Sequence, residues 1–122
     1  MTLDEPIRQA LRTDLTIDIT TTGRVSGESR RIEIWFFNLD DRVFITGTPG
    51  ARDWYANLVA NPEFTFHLKE SVTADIPAVA IPILDDDARR AVFEVLVPRF
   101  GFGDTNLERW IAASPLVEVM FS

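Results

Sequence analysis

The chain has 122 residues, of which 46% are hydrophobic, and this is enough for the core of a single domain over residues 1–122. Its net charge of −7 argues against a nucleic-acid-binding protein or a polybasic membrane-surface protein, because both need excess positive charge. With no cysteine and one histidine, the sequence also excludes disulfides, thiolate catalysis and multi-histidine metal sites, so no metal is expected.

Neither a targeting segment nor a membrane span is expected. The N-terminal segment 1–12 carries Asp4 and Glu5 where a signal peptide would carry positive charge. The longest apolar stretch, Ile76–Leu84, contains two prolines and is far too short to cross a bilayer. These features favour a cytoplasmic protein.

Hydrophobic periodicity and turn residues predict four helices and six strands. After the first helix the strands and helices do not alternate regularly, which indicates a small antiparallel barrel with peripheral helices. The predicted helices span residues 4–12, 52–60, 85–98 and 104–113, and the predicted strands span residues 15–20, 30–39, 42–48, 64–69, 71–84 and 116–121.

Two strands carry more specific expectations. Residues 34–37 are apolar on both faces, as in a strand that is covered on both sides, and Asp40-Asp41 predicts a tight turn after it. In Phe64–Lys69 the alternation places His67 on the outward face, where a solvated side chain is expected. Prolines in the strand 71–84 favour an edge or a bend.

The two C-terminal helices are predicted from their first residues. Asp85-Asp86-Asp87 places acids at the positive end of a helix that buries Ala88, Ala91, Val92 and Val95. Thr105 and Glu108 form a capping box that starts the next helix. Arg89, on the acidic helix, is expected to take no part in ligand binding.

The segment Thr21–Arg31 (TTGRVSGESRR) is a candidate phosphate site. Two glycines are expected to expose backbone N–H groups, Ser26 offers a hydroxyl, and Arg24 and Arg30 supply guanidinium groups for charge-assisted bonds. Residues 24–52 contain five arginines against four acids, although the chain as a whole is acidic. A solvated hairpin loop with exposed arginines is the alternative.

The segment Thr46–Asn57 (TGTPGARDWYAN) is the second candidate. A strand ends in a Gly/Pro loop and enters a helix, so free N–H groups and the positive helix end are expected to meet there. Trp35 and Trp54 have the shape to stack on a flat ring, although tryptophan is more often part of a core. An ordinary connection from strand to helix is the alternative.

Together these segments, TTGRVSGESR followed by a hairpin and then DWYANLVANP, resemble the deazaflavin-dependent nitroreductase family. Its members are split-barrel flavin or deazaflavin oxidoreductases related to pyridoxamine 5′-phosphate oxidase. The resemblance implies a six-stranded split barrel that binds coenzyme F-420, an 8-hydroxy-5-deazaflavin, and transfers hydride. The cofactor-binding residues that it implies are Gly23, Arg24, Ser26, Gly27, Arg30, Trp35, Thr48, Pro49, Gly50, Trp54 and Asn57.

Three departures from the family pattern keep FMN open as the alternative cofactor. Val25 and Pro49 stand where relatives often carry lysine, and Glu33 is expected to place a negative charge near the site. No side chain stands out as a catalytic acid. The expected function is an oxidoreductase with a quinone or nitroaromatic acceptor. The alternatives are a cofactor-binding module without turnover and a cofactor-free split-barrel dimerisation domain, and a homodimer is left open.

Overall fold

The computed structural model describes residues 3–100, 103 and 105–122 of the chain. Within these residues the strands and helices follow one another in the predicted order, with bounds that differ from the prediction by a few residues. The helices are α1 (Glu5–Thr13), α2 (Asp53–Ala60), α3 (Asp86–Phe100) and α4 (Leu107–Ala113). The strands are β1 (Thr16–Thr22), β2 (Ser29–Leu39), β3 (Arg42–Thr46), β4 (Glu63–Leu68), β5 (Ala74–Pro82) and β6 (Leu116–Phe121).

All strand pairings of the barrel are antiparallel. The barrel closes in the order β1-β2-β3-β6-β5-β4, with β4 pairing back onto β1. The register places apolar residues side by side, as with Ile17 between Ile34 and Leu68. The predicted six-stranded antiparallel barrel with peripheral helices is confirmed.

The second half of β2 separates two apolar cores, as its apolar run predicts. Phe36 lies inside the barrel, with its ring centroid 5.4 Å from that of Phe66. Phe37 lies on the outer face, 4.9 Å from the ring centroid of Phe100 in α3. Helices α3 and α4 therefore cover the outside of β2 and β3, and the alternation of side chains along one strand supplies both cores.

Helix α3 buries a different face from the predicted one. Of the predicted stripe only Val92 is buried, while Ala88, Ala91 and Val95 are exposed. The larger side chains remove more apolar surface from water, so they decide which face packs against the sheet. The buried residues of α3 are Arg89, Val92, Phe93, Leu96 and Val97.

The starts of the C-terminal helices agree only in part with the prediction. The Asp85 carboxylate accepts the backbone N–H of Ala88 at 2.9 Å, as expected for the acidic start of α3. In α4 the N-cap is Asn106 rather than Thr105, and its side-chain oxygen accepts the N–H of Arg109. The predicted start of that helix at residue 104 lies outside the described residues. Helix α3 continues past Pro98, where the prediction ended it.

No helix in the described part of the chain is long and apolar enough to cross a membrane.

The single histidine is buried, so the prediction of a solvated His67 is wrong. His67 Nδ1 lies 2.7 Å from Asp75 Oδ1, and Nε2 lies 2.7 Å from Thr20 Oγ1. The two partners belong to the strands on either side of β4, and together they surround the ring. The hydrogen bond from His67 lowers the pKa of the Asp75 carboxyl below its usual value.

Strand β5 is not an edge strand. It pairs with β4 from Ala74 to Val79 and with β6 from Ala78 to Pro82. The carbonyl of Pro77 accepts the N–H of Ser122, beyond the end of β6. The missing N–H of Pro77 therefore costs no ladder bond with β4.

Candidate functional site

The turn between β1 and β2 is closed by its own hydrogen bonds. The Gly23 N–H donates to the Glu28 carbonyl at 2.8 Å, and the Gly27 N–H donates to the Gly23 carbonyl at 2.9 Å. Gly27 has a φ of 73°, which glycine adopts without strain. The Ser26 hydroxyl accepts the N–H of Glu28 at 3.1 Å. The glycine N–H groups are therefore engaged within the loop, and the prediction that they are exposed to an anion is wrong.

Arg24 is held against α2 by two polar side chains. The side-chain oxygen of Asn57 accepts both the backbone N–H of Arg24, at 3.1 Å, and its Nη1, at 2.8 Å. Arg24 Nη2 lies 3.3 Å from Asp53 Oδ1. Asp53 and Asn57 are four residues apart and so share one face of the helix. Because Asn57 is buried while Arg24 remains 41% exposed, the amide fixes a guanidinium that solvent and ligands still reach.

Arg24 and Arg30 line one polar cleft of about 330 Å³ between the turn and α2. Arg30 stands opposite Thr21 in the ladder, at the start of β2. Its Nε lies 3.7 Å from the place that a Cβ on Gly23 would occupy. Two arginines face one carboxylate here, so the cleft favours an anion. Its lining is Gly23, Arg24, Val25, Ser26, Arg30, Asp53 and Asn57.

The connection from β3 to α2 is held by Arg52. Its Nη2 donates to the carbonyl of Thr48 at 3.1 Å and to the Thr48 hydroxyl at 2.8 Å. The Gly50 N–H donates to the carbonyl of Ala113 at 3.0 Å. The prediction that this N–H is free to bind an anion is therefore wrong. Thr48, Pro49 and Gly50 do not belong to the lining of the arginine cleft.

A second cavity, mainly apolar and about 190 Å³ in volume, lies on the outer face of β2 and β3 beside α3 and α4. Trp35, which is 38% exposed, lines it together with Phe37 and Trp110. Thr46 also lines it, and its hydroxyl donates to the Pro115 carbonyl at 2.5 Å. The described lining carries no titratable side chain, so this cavity suits a flat apolar group.

Arg30 and Trp35 lie on opposite faces of β2, because side chains alternate and the two are five residues apart. At about 3.3 Å per residue they are roughly 17 Å apart along the strand. Residues 29–35 pair with β1, and pairing with β3 begins only at Phe36. This segment of β2 therefore has an edge that carries no strand. A ligand that reaches both residues has to cross that edge.

Trp54 lies in the core of the barrel and not on the surface of the cleft. It is 8% exposed and packs edge-to-face with Tyr55, with ring centroids 6.0 Å apart. Its neighbour one turn on, Leu58, belongs to the same core. Trp54 therefore anchors α2, which carries Asn57, and its ring is not presented for stacking on a ligand.

The carboxylate of Glu33 does not add charge to the arginine cleft. Lys69 forms an ion pair with Glu33 and another with Asp18, at 2.7 Å, on the outer face of the barrel. Arg31 also reaches Asp18, at 3.0 Å. The hydrogen bond from Lys69 is the main cause that holds the pKa of Asp18 below its usual value of 3.8. Glu33 is thus neutralised on the face opposite to Arg30.

Two residues that shape this region, one in the arginine cleft and one beside it, were not predicted as functional. Asp53 is the counter-ion of Arg24, and Arg52 holds the loop that contains Thr48. The Asp-x-x-x-Asn spacing was visible in the sequence, but its partner lies about thirty residues earlier in the chain. Among the described residues, no cluster of three or more His, Cys, Asp or Glu side chains could hold a metal ion.

Most of the chain matches one known protein family. The model of the F420H(2)-dependent quinone reductase family matches residues 5–101. The chain belongs to this family. The matched range contains both segments that carried the resemblance, so the prediction of a deazaflavin-dependent reductase family is confirmed.

Solved structures share the fold at low identity. An F420-H2 dependent reductase (FDR-A) is 18% identical, with a TM-score of 0.62 and 98% of each chain covered. HutZ, a heme storage protein from Vibrio cholerae, is 19% identical, with a TM-score of 0.71, covering 100% of this chain and 92% of the other. A putative pyridoxamine 5′-phosphate oxidase from Listeria innocua is 9% identical, with a TM-score of 0.65, covering 96% and 88%. At these identities the likeness establishes the split-barrel fold.

Proposed function

We propose that this member of the family binds coenzyme F-420 and passes a hydride from its reduced form to a flat acceptor, with a quinone preferred over a nitroaromatic. The observation that carries the proposal is the pairing of a cationic cleft with an aromatic cavity on the two faces of one strand. Arg24 and Arg30 line the first, and Trp35 lines the second. Membership of the F420H(2)-dependent quinone reductase family supports the choice of cofactor and acceptor.

The donor set of the cleft fits the phosphate and acidic tail of the cofactor. Arg24 and Arg30 are both exposed, and each offers a guanidinium for bidentate, charge-assisted bonds to phosphate. Asn57 would act through Arg24, whose backbone and side chain it holds. Since the amides of Gly23, Arg24 and Gly27 are engaged, the charged contacts to the anion come from the two arginines.

The aromatic cavity fits the flat part of the cofactor or its acceptor. Trp35 presents part of its ring to solvent, and the open edge of β2 beside it leaves room for a linker between ring and phosphate. When bound, the reduced deazaflavin supplies the hydride. The described residues of the cavity offer no acid or base, so the proton that completes reduction of a quinone would come from solvent.

Titration of the purified protein with oxidised F-420 and with FMN tests the proposal. We expect F-420 to bind more tightly than FMN, and reduced F-420 to be consumed on addition of menadione, faster than with a nitroaromatic such as nitrofurazone. Tighter binding of FMN would overturn the choice of cofactor. Binding of F-420 without turnover would favour a binding module, and binding of neither would favour a dimerisation domain.

Arg30→Ala tests the arginine cleft itself. The substitution removes a charge-assisted contact to phosphate, so we expect F-420 to bind about ten- to hundredfold more weakly. Stability should change little, because Arg30 is exposed. Arg8→Ala, on the exposed face of α1, is the control, because Arg8 pairs with Glu5 far from the cleft. If Arg30→Ala binds F-420 as tightly as the unaltered protein, the arginine cleft is not the phosphate site.

A further inference from the structure

The guanidinium of Arg89 is buried without a carboxylate beside it. Arg89 is 9% exposed, and the structure gives it no ion pair among the described residues. The nearby Asp86 is paired with Arg90 instead, at 3.6 Å. Burial lowers the pKa of Arg89, but an arginine stays protonated in proteins. Among the described residues, Asp86 interacts with this charge electrostatically without forming an ion pair, and the Phe93 ring lies 5.4 Å from the guanidinium carbon.

Backbone carbonyls take up most of the donors of Arg89. Its Nε donates to the carbonyl of Ile111 at 2.7 Å, and Nη1 donates to that of Ile83 at 2.9 Å. Nη2 donates to the carbonyls of Trp110, at 3.5 Å, and Ser114, at 2.5 Å. Because a guanidinium has five N–H groups, one of the two on Nη1 has no acceptor among the described residues.

Arg89 lines an open cleft of about 600 Å³ between α2, α4 and the start of α3. Arg52 and Tyr55 line the same cleft, and none of its described lining residues is acidic. Asp53 and Asn57 line the arginine cleft, the proposed cofactor site, on another face of α2. The two clefts therefore lie on different sides of this helix.

Most of the remaining lining is apolar, which indicates the shape of an occupant. Leu84 is 77% exposed at this cleft, and alanines from α2 and α4 and Pro115 complete the surface. Ser114 also lines it, and its buried hydroxyl has no hydrogen-bond partner in the described part of the chain.

We propose that this cleft binds a small organic anion, a carboxylate attached to an apolar body. The carboxylate would take the remaining N–H of Arg89 and the field of Arg52, and the apolar body would cover Leu84 and the alanines. The single remaining N–H and the mainly apolar lining favour a monocarboxylate over inorganic phosphate, which lacks an apolar part. This site is separate from the arginine cleft and does not depend on the proposed function.

Calorimetric titration with 2-naphthoate tests the proposal, with 2-naphthamide as its neutral analogue and inorganic phosphate as an anion without an apolar body. We expect saturable binding of 2-naphthoate, at least tenfold tighter than that of either control. Equal affinity for the amide would show that the charge of Arg89 is not used and would overturn the proposal. The absence of saturable naphthoate binding would overturn it as well.

Ala112→Phe tests whether naphthoate binds in this cleft. Ala112 is exposed on α4, lines the cleft and is not an acceptor of Arg89, so a phenyl ring there fills the space and leaves every acceptor of Arg89 in the sequence. We expect it to weaken naphthoate binding at least tenfold while leaving the unfolding transition in place. Ala91→Phe is the matched control, because Ala91 is exposed on α3 and lines a different groove. If both variants bind naphthoate as the unaltered protein does, the site is not this cleft and the proposal is wrong.

Discussion

Arg24 and Arg89 show how the same side chain serves two different regions of this molecule. Arg24, in the turn after β1, is held by the side chains of Asn57 and Asp53 and remains 41% exposed. Arg89, in the layer formed by α3 and α4, is buried and held by backbone carbonyls. The exposed carboxylate of Asp53 can be exchanged for an anionic ligand at little cost. The carbonyls of Ile111 and Ser114, at the C-terminal end of α4, cannot, because no other donor in the described part of the chain replaces the one they lose.

The largest expected effect is a loss of stability when Arg89 is replaced. Arg89→Met keeps the apolar stem but removes the donor of the Ile83, Ile111 and Ser114 carbonyls, whereas the Trp110 carbonyl keeps the N–H of Ser114. An unsatisfied buried acceptor costs about 1–3 kcal/mol, and local relaxation recovers part of the sum, so we expect a loss of about 3–5 kcal/mol in the free energy of unfolding. Urea denaturation followed by circular dichroism measures it. A loss below about 1 kcal/mol would show that Arg89 is not a structural group.

Arg24→Met is the matched change in the other region. Its backbone N–H still donates to Asn57, so the turn stays in place and the urea midpoint should hardly move. Affinity for F-420 should fall about ten- to hundredfold, because one of two cations in the cleft is gone. A variant that unfolds as easily as Arg89→Met would break the comparison.

Asn57→Ala tests whether the exposed arginine has to be positioned. The side chain of Asn57 is buried and accepts two hydrogen bonds from Arg24, so its loss should lower stability by about 1–2 kcal/mol. F-420 affinity should fall severalfold. The double variant Arg24→Met/Asn57→Ala should bind F-420 no more weakly than Arg24→Met alone, since Asn57 acts through Arg24. Additive losses would instead place Asn57 in direct contact with the cofactor.

Asp53→Asn should have the smallest effect, in the opposite direction. Asp53 is 92% exposed and competes with an anionic ligand for Arg24, at 3.3 Å. Neutralising it should tighten F-420 binding by up to about fivefold without changing stability, because exposed ion pairs contribute little. Titration at low and high salt measures this, and the gain should shrink as salt screens the charges. Weaker binding would show that Asp53 helps to hold the cofactor.

Local sequence pattern was sufficient for the order of strands and helices, for the two cores on either side of Phe36 and Phe37, and for the family relationship. These features depend on the alternation of neighbouring side chains and on motifs of about ten residues. Both walls of the cleft between the turn after β1 and α2 carry such motifs, so the sequence singled out the segments that form it.

Only the tertiary structure decided which polar groups have partners. The carbonyls that bind Arg89 lie as far as 25 residues along the chain, and Asn57 lies 33 residues from Arg24. The amide of Gly50 is occupied by Ala113 of a distant helix, and His67 is enclosed by the strands beside it. A polar side chain is buried or exposed according to the acceptors that the fold brings to it, and local periodicity carries no information about those acceptors.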